Sequence, residues 1–227
     1  MNKTRNLQDG LLATECYEQI QDAIIQGIFS PGQKLKVVDL KQRFGVGQSP
    51  IREALSRLTQ SGLITAEDNK GFYVAPVSLE DILDTYQVFF DIEMMALTRA
   101  LELGDDVWEA HIVGALHQLS LIENKPEPVA YAEWVKRNYA FHVALISGCN
   151  SPLLLQLRAQ VYKRFDRYCR ISFHLAKEQL HANHQEHKAL AEAVLKRDAK
   201  EVEALMRHHI FGAQIDVIET LKKNNFI

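Results

Sequence analysis

Three side chains in one short segment have the chemistry to read the edge of a base pair. In GVGQSPIREALSRL, residues 45–58, Gln48 carries an amide, Ser49 a hydroxyl and Arg52 a guanidinium. An amide pairs with adenine, a guanidinium forks onto guanine, and a hydroxyl serves either. Ser49 and Pro50 suit the N-cap and first position of a helix. Ile51, Ala54, Leu55 and Leu58 recur at helical spacing and predict its buried stripe, with Arg52 and Arg57 off that stripe. The entrance of such a helix offers polar side chains, free backbone N–H groups and a partial positive charge. That combination suits base edges and phosphates in a major groove.

The neighbouring sequence predicts how this head is held. Residues 1 to about 12 read as a flexible arm. A helix follows from Thr14 to Gln26, with Tyr17, Ile20 and Ile24 on one face and Gly27 just past its end. Pro31 and Gly32 mark a turn. A short helix, Val37 to Phe44, buries Leu40 and Phe44, and the head helix runs from Pro50 to Gln60. Two strands, 63–66 and 72–75, flank the turn EDNKG, with Lys70 and Gly71 at its tip. Three helices and a hairpin make a winged helix-turn-helix. At the wing tip Lys70 can reach a phosphate or the minor groove. Lys36 and Lys41 read either as phosphate-facing cations or as plain surface charges.

Past Pro76-Val77 the pattern is helical throughout. Ser78 with Asp81 opens a helix to Leu103, and Asp105 or Asp106 opens another to Glu123. ENKPEP, residues 123–128, reads as a loop. Helices are expected from Val129 to Ser147, from Ser151-Pro152 to Leu180 and from Asn183 to Lys196, with a last one opened by Asp198. The predicted fold class is mainly α: an N-terminal winged helix-turn-helix over residues 1–77, and an all-α bundle of six to seven helices over residues 78–227.

Bulk composition narrows the class. The chain has 227 residues, 47% of them apolar, enough for two domains. Its longest apolar runs are too short to span a membrane, and its first residues lack the apolar core of a signal peptide. Cys16, Cys149 and Cys169 are far apart, which suits a reducing cytoplasm and predicts neither a disulfide frame nor a Cys-based zinc site. Net charge is −3, yet Pro31 to Leu58 holds six cations against two carboxylates. A basic module on an acidic chain fits specific DNA binding.

The sequence resembles the GntR family of bacterial transcription regulators. PGQKL (31–35), GVGQSPIREAL (45–55) and GLITAEDNKGFYV (62–74) carry the likeness of the first domain. NYAFH (138–142), GCNSPLL (148–154), EHKAL (186–190) and RDAKEVEALMRHHI (197–210) resemble the FCD effector domain of the FadR subgroup. GVG, REALS and WVKRNYAFH are also similar to carbon-starvation repressors of 4-aminobutyrate and glutarate catabolism. The resemblance implies a cytoplasmic homodimer on near-palindromic double-stranded operator DNA, repressing a catabolic operon, with a small carboxylic-acid effector in the helical domain. It implies no enzyme activity, and the sequence holds no HExxH. The family usually has Arg where Gln48 stands. Gln48 therefore either alters base preference or leaves Arg52 as the main guanine reader. The bland reading of Arg52 is a contact with Glu53 or Asp39.

The resemblance also implies a metal site, for zinc or nickel, at Asn138, His142, His187 and His209. Asn138 and His142, four apart, share a helix face. Asn138 stands where the family usually has Asp, so the set loses one negative charge. The same histidines could instead bind an anionic ligand directly. Many relatives carry Arg four residues before Glu93, where this chain has Phe89. Arg167 offers itself as a substitute effector-binding cation, or as a structural salt bridge.

Overall fold

The computed structural model describes residues 2–68, 70–124, 131–176 and 184–227. It contains two compact units. The first joins the residues up to Ile82 with Lys163–Leu175 and Thr220–Ile227; the second joins Leu83–Tyr162 with Ala176–Glu219.

In the first unit α1 (Asn2–Ile25) packs on α3 (Gln48–Gln60), and α2 (Val37–Phe44) leans on α3. Cys16, Ile20, Ile24, Leu40, Ile51, Leu55, Leu58 and Val74 form the core, so the stripe read from the head helix does face inward. Gly27 at φ 72° closes α1 with paired bonds, Ile28 N–H to the Ala23 carbonyl and Gly27 N–H to that of Ile24. A three-stranded antiparallel sheet follows, in the order β1 (Lys34–Leu35), β3 (Gly71–Val74), β2 (Ile64–Glu67). Register pairs Leu35 with Phe72 and Ile64 with Val74.

Three expectations change here. The flexible arm is instead the start of α1, which begins at Asn2. Once Ala13 and its successors are packed, nothing upstream breaks the helix, and Thr14 Oγ1 even bonds back to the Gly10 carbonyl at 3.1 Å. The head helix begins at Gln48, so Ser49 is not its N-cap. Gly47, extended at φ −69° and ψ 171°, holds that place without a side-chain cap. Pro50 lies at the third helical position, where no backbone N–H is needed. The strand β1 was not foreseen, because two residues show no alternation.

The second unit is helical: α4 (Leu79–Leu103, from Leu83 onward), α5 (Asp106–Glu123), α6 (Tyr131–Ile146), the first part of α7 (Pro152–Ala176), α8 (His184–Leu195) and α9 (Ala199–Lys223, as far as Glu219). Asp105 caps α5, its carboxylate accepting from Trp108 N–H at 2.9 Å, and Asp198 caps α9 through Glu201 N–H at 3.1 Å. A short 3₁₀ turn, Ser147–Cys149, ends α6. The Trp108 indole N–H reaches the Ala144 and Leu145 carbonyls at 3.0 and 3.2 Å and ties the start of α5 to the end of α6. Its ring lies against Gly104 and Gly148. A Cβ at Gly104 would fall 2.0 Å from Trp108 Cε3. The predicted loop Lys125–Pro128, the helix start at Val129, the helix end at Leu180 and the helix start at Asn183 lie outside the described residues, as does Asn69 of the wing turn. No helix among the described residues is long and apolar enough to cross a membrane.

Candidate nucleic-acid interface and metal centre

The left-handed turn at Gly45, φ 67°, ends α2 and redirects the chain into α3. Gln48, Ser49 and Arg52 are exposed on the first turns of α3, and Lys36 and Lys41 are exposed at the two ends of α2. Gln48 and Arg52 are four apart on one helix face. With the Gln48 amide oxygen toward Arg52, it accepts from Nε at 2.9 Å and Nη2 at 3.2 Å. Arg52 is thus oriented by Gln48, rather than by the Glu53 or Asp39 contact considered from sequence. Arg57, counted in the basic segment, faces α1: its Nη1 donates to Thr14 Oγ1 at 3.1 Å, over the Tyr17 ring. At the wing Lys70 is exposed and ion-paired to Glu67 at 3.1 Å, and Gly71 opens β3 at φ 104°.

The second unit gathers three of the predicted metal residues. His142 on α6, His187 on α8 and His209 on α9 present ring nitrogens within 4.8 Å of one another. The ring centroids are 5.1–5.6 Å apart, and Phe141 packs edge-on against His142 and His187. Carboxylates set the tautomers. His187 Nδ1–H donates to Glu123 Oε1 at 2.9 Å and His209 Nδ1–H to Glu186 Oε2 at 2.8 Å. Each ring therefore keeps its Nε2 lone pair for a ligand. Glu123, at the end of α5, has a fully buried side chain that also accepts from His184 Nδ1 at 3.3 Å and Trp134 Nε1 at 3.2 Å.

Burial opposes the Glu123 charge, but the hydrogen bonds from His187, Trp134 and His184 outweigh it and hold the carboxyl below its ordinary range. Burial, then the neighbouring His209, His187 and Arg158, push His142 well below the usual imidazole value. Burial likewise lowers His187, against its bond to Glu123. A neutral imidazole is the metal-binding form. Two buried acceptors lack a partner in this corner: His187 Nε2 and Asn138 Oδ1, the latter four residues before His142 on α6. Three imidazoles, one amide oxygen and carboxylates behind two of the rings fit a borderline divalent ion such as Zn²⁺ or Ni²⁺.

Arg167 belongs to the first compact unit, is buried, and donates to the Ala75 carbonyl beside Tyr168 and Asp81, while its Nε is buried without a hydrogen-bond partner. The buried guanidinium of the second unit is Arg158 on α7, bound to Glu93 on α4. Nothing in the sequence marks Arg158 or Glu123, because each acts through a helix distant in the chain; Glu186 opens the EHKAL motif but shows its partner His209 only once α8 and α9 pack. A weak signal lay in His184, three residues from His187 on the same helix face.

Two family profiles match the chain: "Bacterial regulatory proteins, gntR family" over residues 12–74 and "FCD domain" over residues 84–212. The HTH-type transcriptional repressor GlaR of Escherichia coli is 35% identical over 213 residues, 92% of this chain and 96% of that protein. The uncharacterized HTH-type transcriptional regulator BphR of Paraburkholderia xenovorans is 34% identical over 197 residues, 86% of this chain and 80% of that one. The structure of Escherichia coli McbR/YncC superposes with a TM-score of 0.72 at 19% identity, covering 94% of this chain and 98% of that one, a likeness of fold.

Proposed function

Since the chain belongs to the GntR family of DNA-binding transcription regulators and carries an FCD effector domain, not an enzyme's catalytic domain, we propose that it represses a catabolic operon in the cytoplasm and is relieved by a small carboxylic acid. GlaR, a relative named as a repressor, supports the sign of control. Residues 1–77 form the reading head and residues 78–227 the effector domain. A homodimer binds a near-palindromic operator, each copy placing α3 in a major groove. Arg52, held by Gln48, reads guanine; Ser49, Lys36, Lys41, Lys70 and the Gly71 backbone hold phosphates.

The observation that carries the sensing half is the buried triad His142, His187 and His209, two of whose tautomers are fixed by carboxylates. These residues and Asn138 would hold a divalent ion, zinc or nickel, which supplies a positive centre for an effector carboxylate. The acid controls the operator by binding two arrangements of the dimer with different affinity. Elemental analysis of protein purified without added metal or affinity tag tests the site. Stability should fall with EDTA, and a ligand at a hundredfold excess over its Kd should add about 2.7 kcal/mol. A gel-shift assay on an operator selected from random DNA reads the release. The neutral Asn138 favours a second reading, in which the histidines bind the acid themselves. A metal-free protein stabilised by an acid would establish that reading instead.

A further inference from the structure

Arg158 makes the most unusual contact set in the second unit. Its Nε donates to Glu93 Oε2 at 2.7 Å and its Nη2 to Glu93 Oε1 at 3.2 Å. Both side chains are almost fully buried, at 2% and 1% exposure. The rings of Phe89, Tyr139 and Tyr162 lie 5.2, 5.1 and 4.8 Å from the guanidinium carbon. A guanidinium is planar, with donors along its edges and two faces that accept aromatic rings. Here the rings crowd around the group and Glu93 takes one edge. Nη1, on the opposite edge, is buried without a hydrogen-bond partner.

A buried donor left unmade is costly, and a structural ion pair would not need to retain one. Tyr139, one of the flanking rings, directly follows Asn138, whose amide oxygen is likewise unpartnered.

We propose that Arg158 is the carboxylate receiver of the effector site, its free Nη1 edge taking a carboxylate oxygen of a small aliphatic acid while Glu93 holds the other edge. This rests on reading the bundle as an effector-binding domain. The predicted ligand class follows from the charge. Glu93 and Arg158 together are neutral, so the site accepts an acid through directed N–H donors and does not collect anions indiscriminately. The aromatic flanks favour a ligand with a short apolar backbone behind its carboxylate.

The test uses the full-length protein and calorimetric titration with acetate, malonate, succinate and glutarate, each matched by the corresponding amide or diamide. Arg158→Lys keeps the charge but loses the fork. Arg158→Gln combined with Glu93→Gln removes both charges and leaves no buried ion alone. Cooperative melting and metal content are measured first on each variant. The expected result is that at least one acid binds the wild type, its amide does not, and both variants bind it about tenfold or more weakly with metal content unchanged. Wild-type protein that binds none of the acids overturns the proposal, and so do folded variants that bind with wild-type affinity. A wild type without metal whose acid binding still depends on Arg158 upholds the proposal while the metal reading fails.

Discussion

The reading head and the bundle corner hold their polar and charged groups under opposite conditions. In the head, Gln48, Arg52, Lys36, Lys41 and Lys70 stand in solvent, and their electrostatics are screened within about 10 Å at 0.1 M salt. In the bundle, Glu93, Arg158, Glu123 and His187 are buried, and each is held by a partner on another helix. Exposed charges can be exchanged at little cost to the fold and act mainly when DNA arrives. Buried ones cannot lose a partner without leaving a desolvated group behind. Substitutions in the two regions should therefore separate cleanly: function alone in the head, function with stability in the bundle.

The largest effect is expected from His187→Ala. It removes one of three imidazoles and strips Glu123 of its closest partner. Metal content should fall from about one equivalent to a small fraction of that, and the melting temperature should drop and no longer respond to EDTA. Equal metal content in wild type and variant would break the assignment. Next in size is Glu123→Gln, which keeps the shape but weakens the hold on the His187 tautomer. Metal affinity should fall about 10- to 100-fold, read by competition with a chelating dye.

In the head, Arg52→Ala should cost about 1–3 kcal/mol of operator affinity and relax the preference at one base pair of each half-site, with an unchanged melting temperature. A shifted melting temperature would show that the head does not differ from the bundle in the way described. Lys70→Ala sits at the small end. It should weaken all DNA sequences alike and reduce the salt slope of binding by about one, measured by titration across ionic strengths.

How much of each region could be read beforehand follows from the same contrast. The head is contiguous. Gly45, the stripe Ile51, Ala54, Leu55 and Leu58, and the polar residues between them lie within fourteen positions, 45–58, so local spacing displays them together. What escaped was the helix that replaces the expected flexible arm, the helix start at Gln48, the short β1 strand, and the way Gln48 orients Arg52. The bundle corner is assembled from α4, α5, α6, α7, α8 and α9. Its histidines were legible through family resemblance. Glu123 and Arg158 were not, because a Glu before a loop and an Arg inside a long helix look like surface charges until the partner helix is known. Arg167 keeps both of its readings, with one donor engaged and its buried Nε without a hydrogen-bond partner. Its place on the long helix made it a plausible anion partner, and its guanidinium reaches the Ala75 carbonyl.

The Trp108 corner has a consequence that belongs to genetics. With 2.0 Å between Trp108 Cε3 and any Cβ at position 104, even alanine must displace the indole, which ties the start of α5 to α6 just past His142. Overpacking of this kind costs about 1–3 kcal/mol, and for a chain of this size each kcal/mol lowers the melting temperature by about 2–4 °C. Gly104→Ala is thus where a conditional allele is to be sought: a strain regulated normally when grown cool and misregulated when warmed, with every residue proposed to touch DNA or effector left intact.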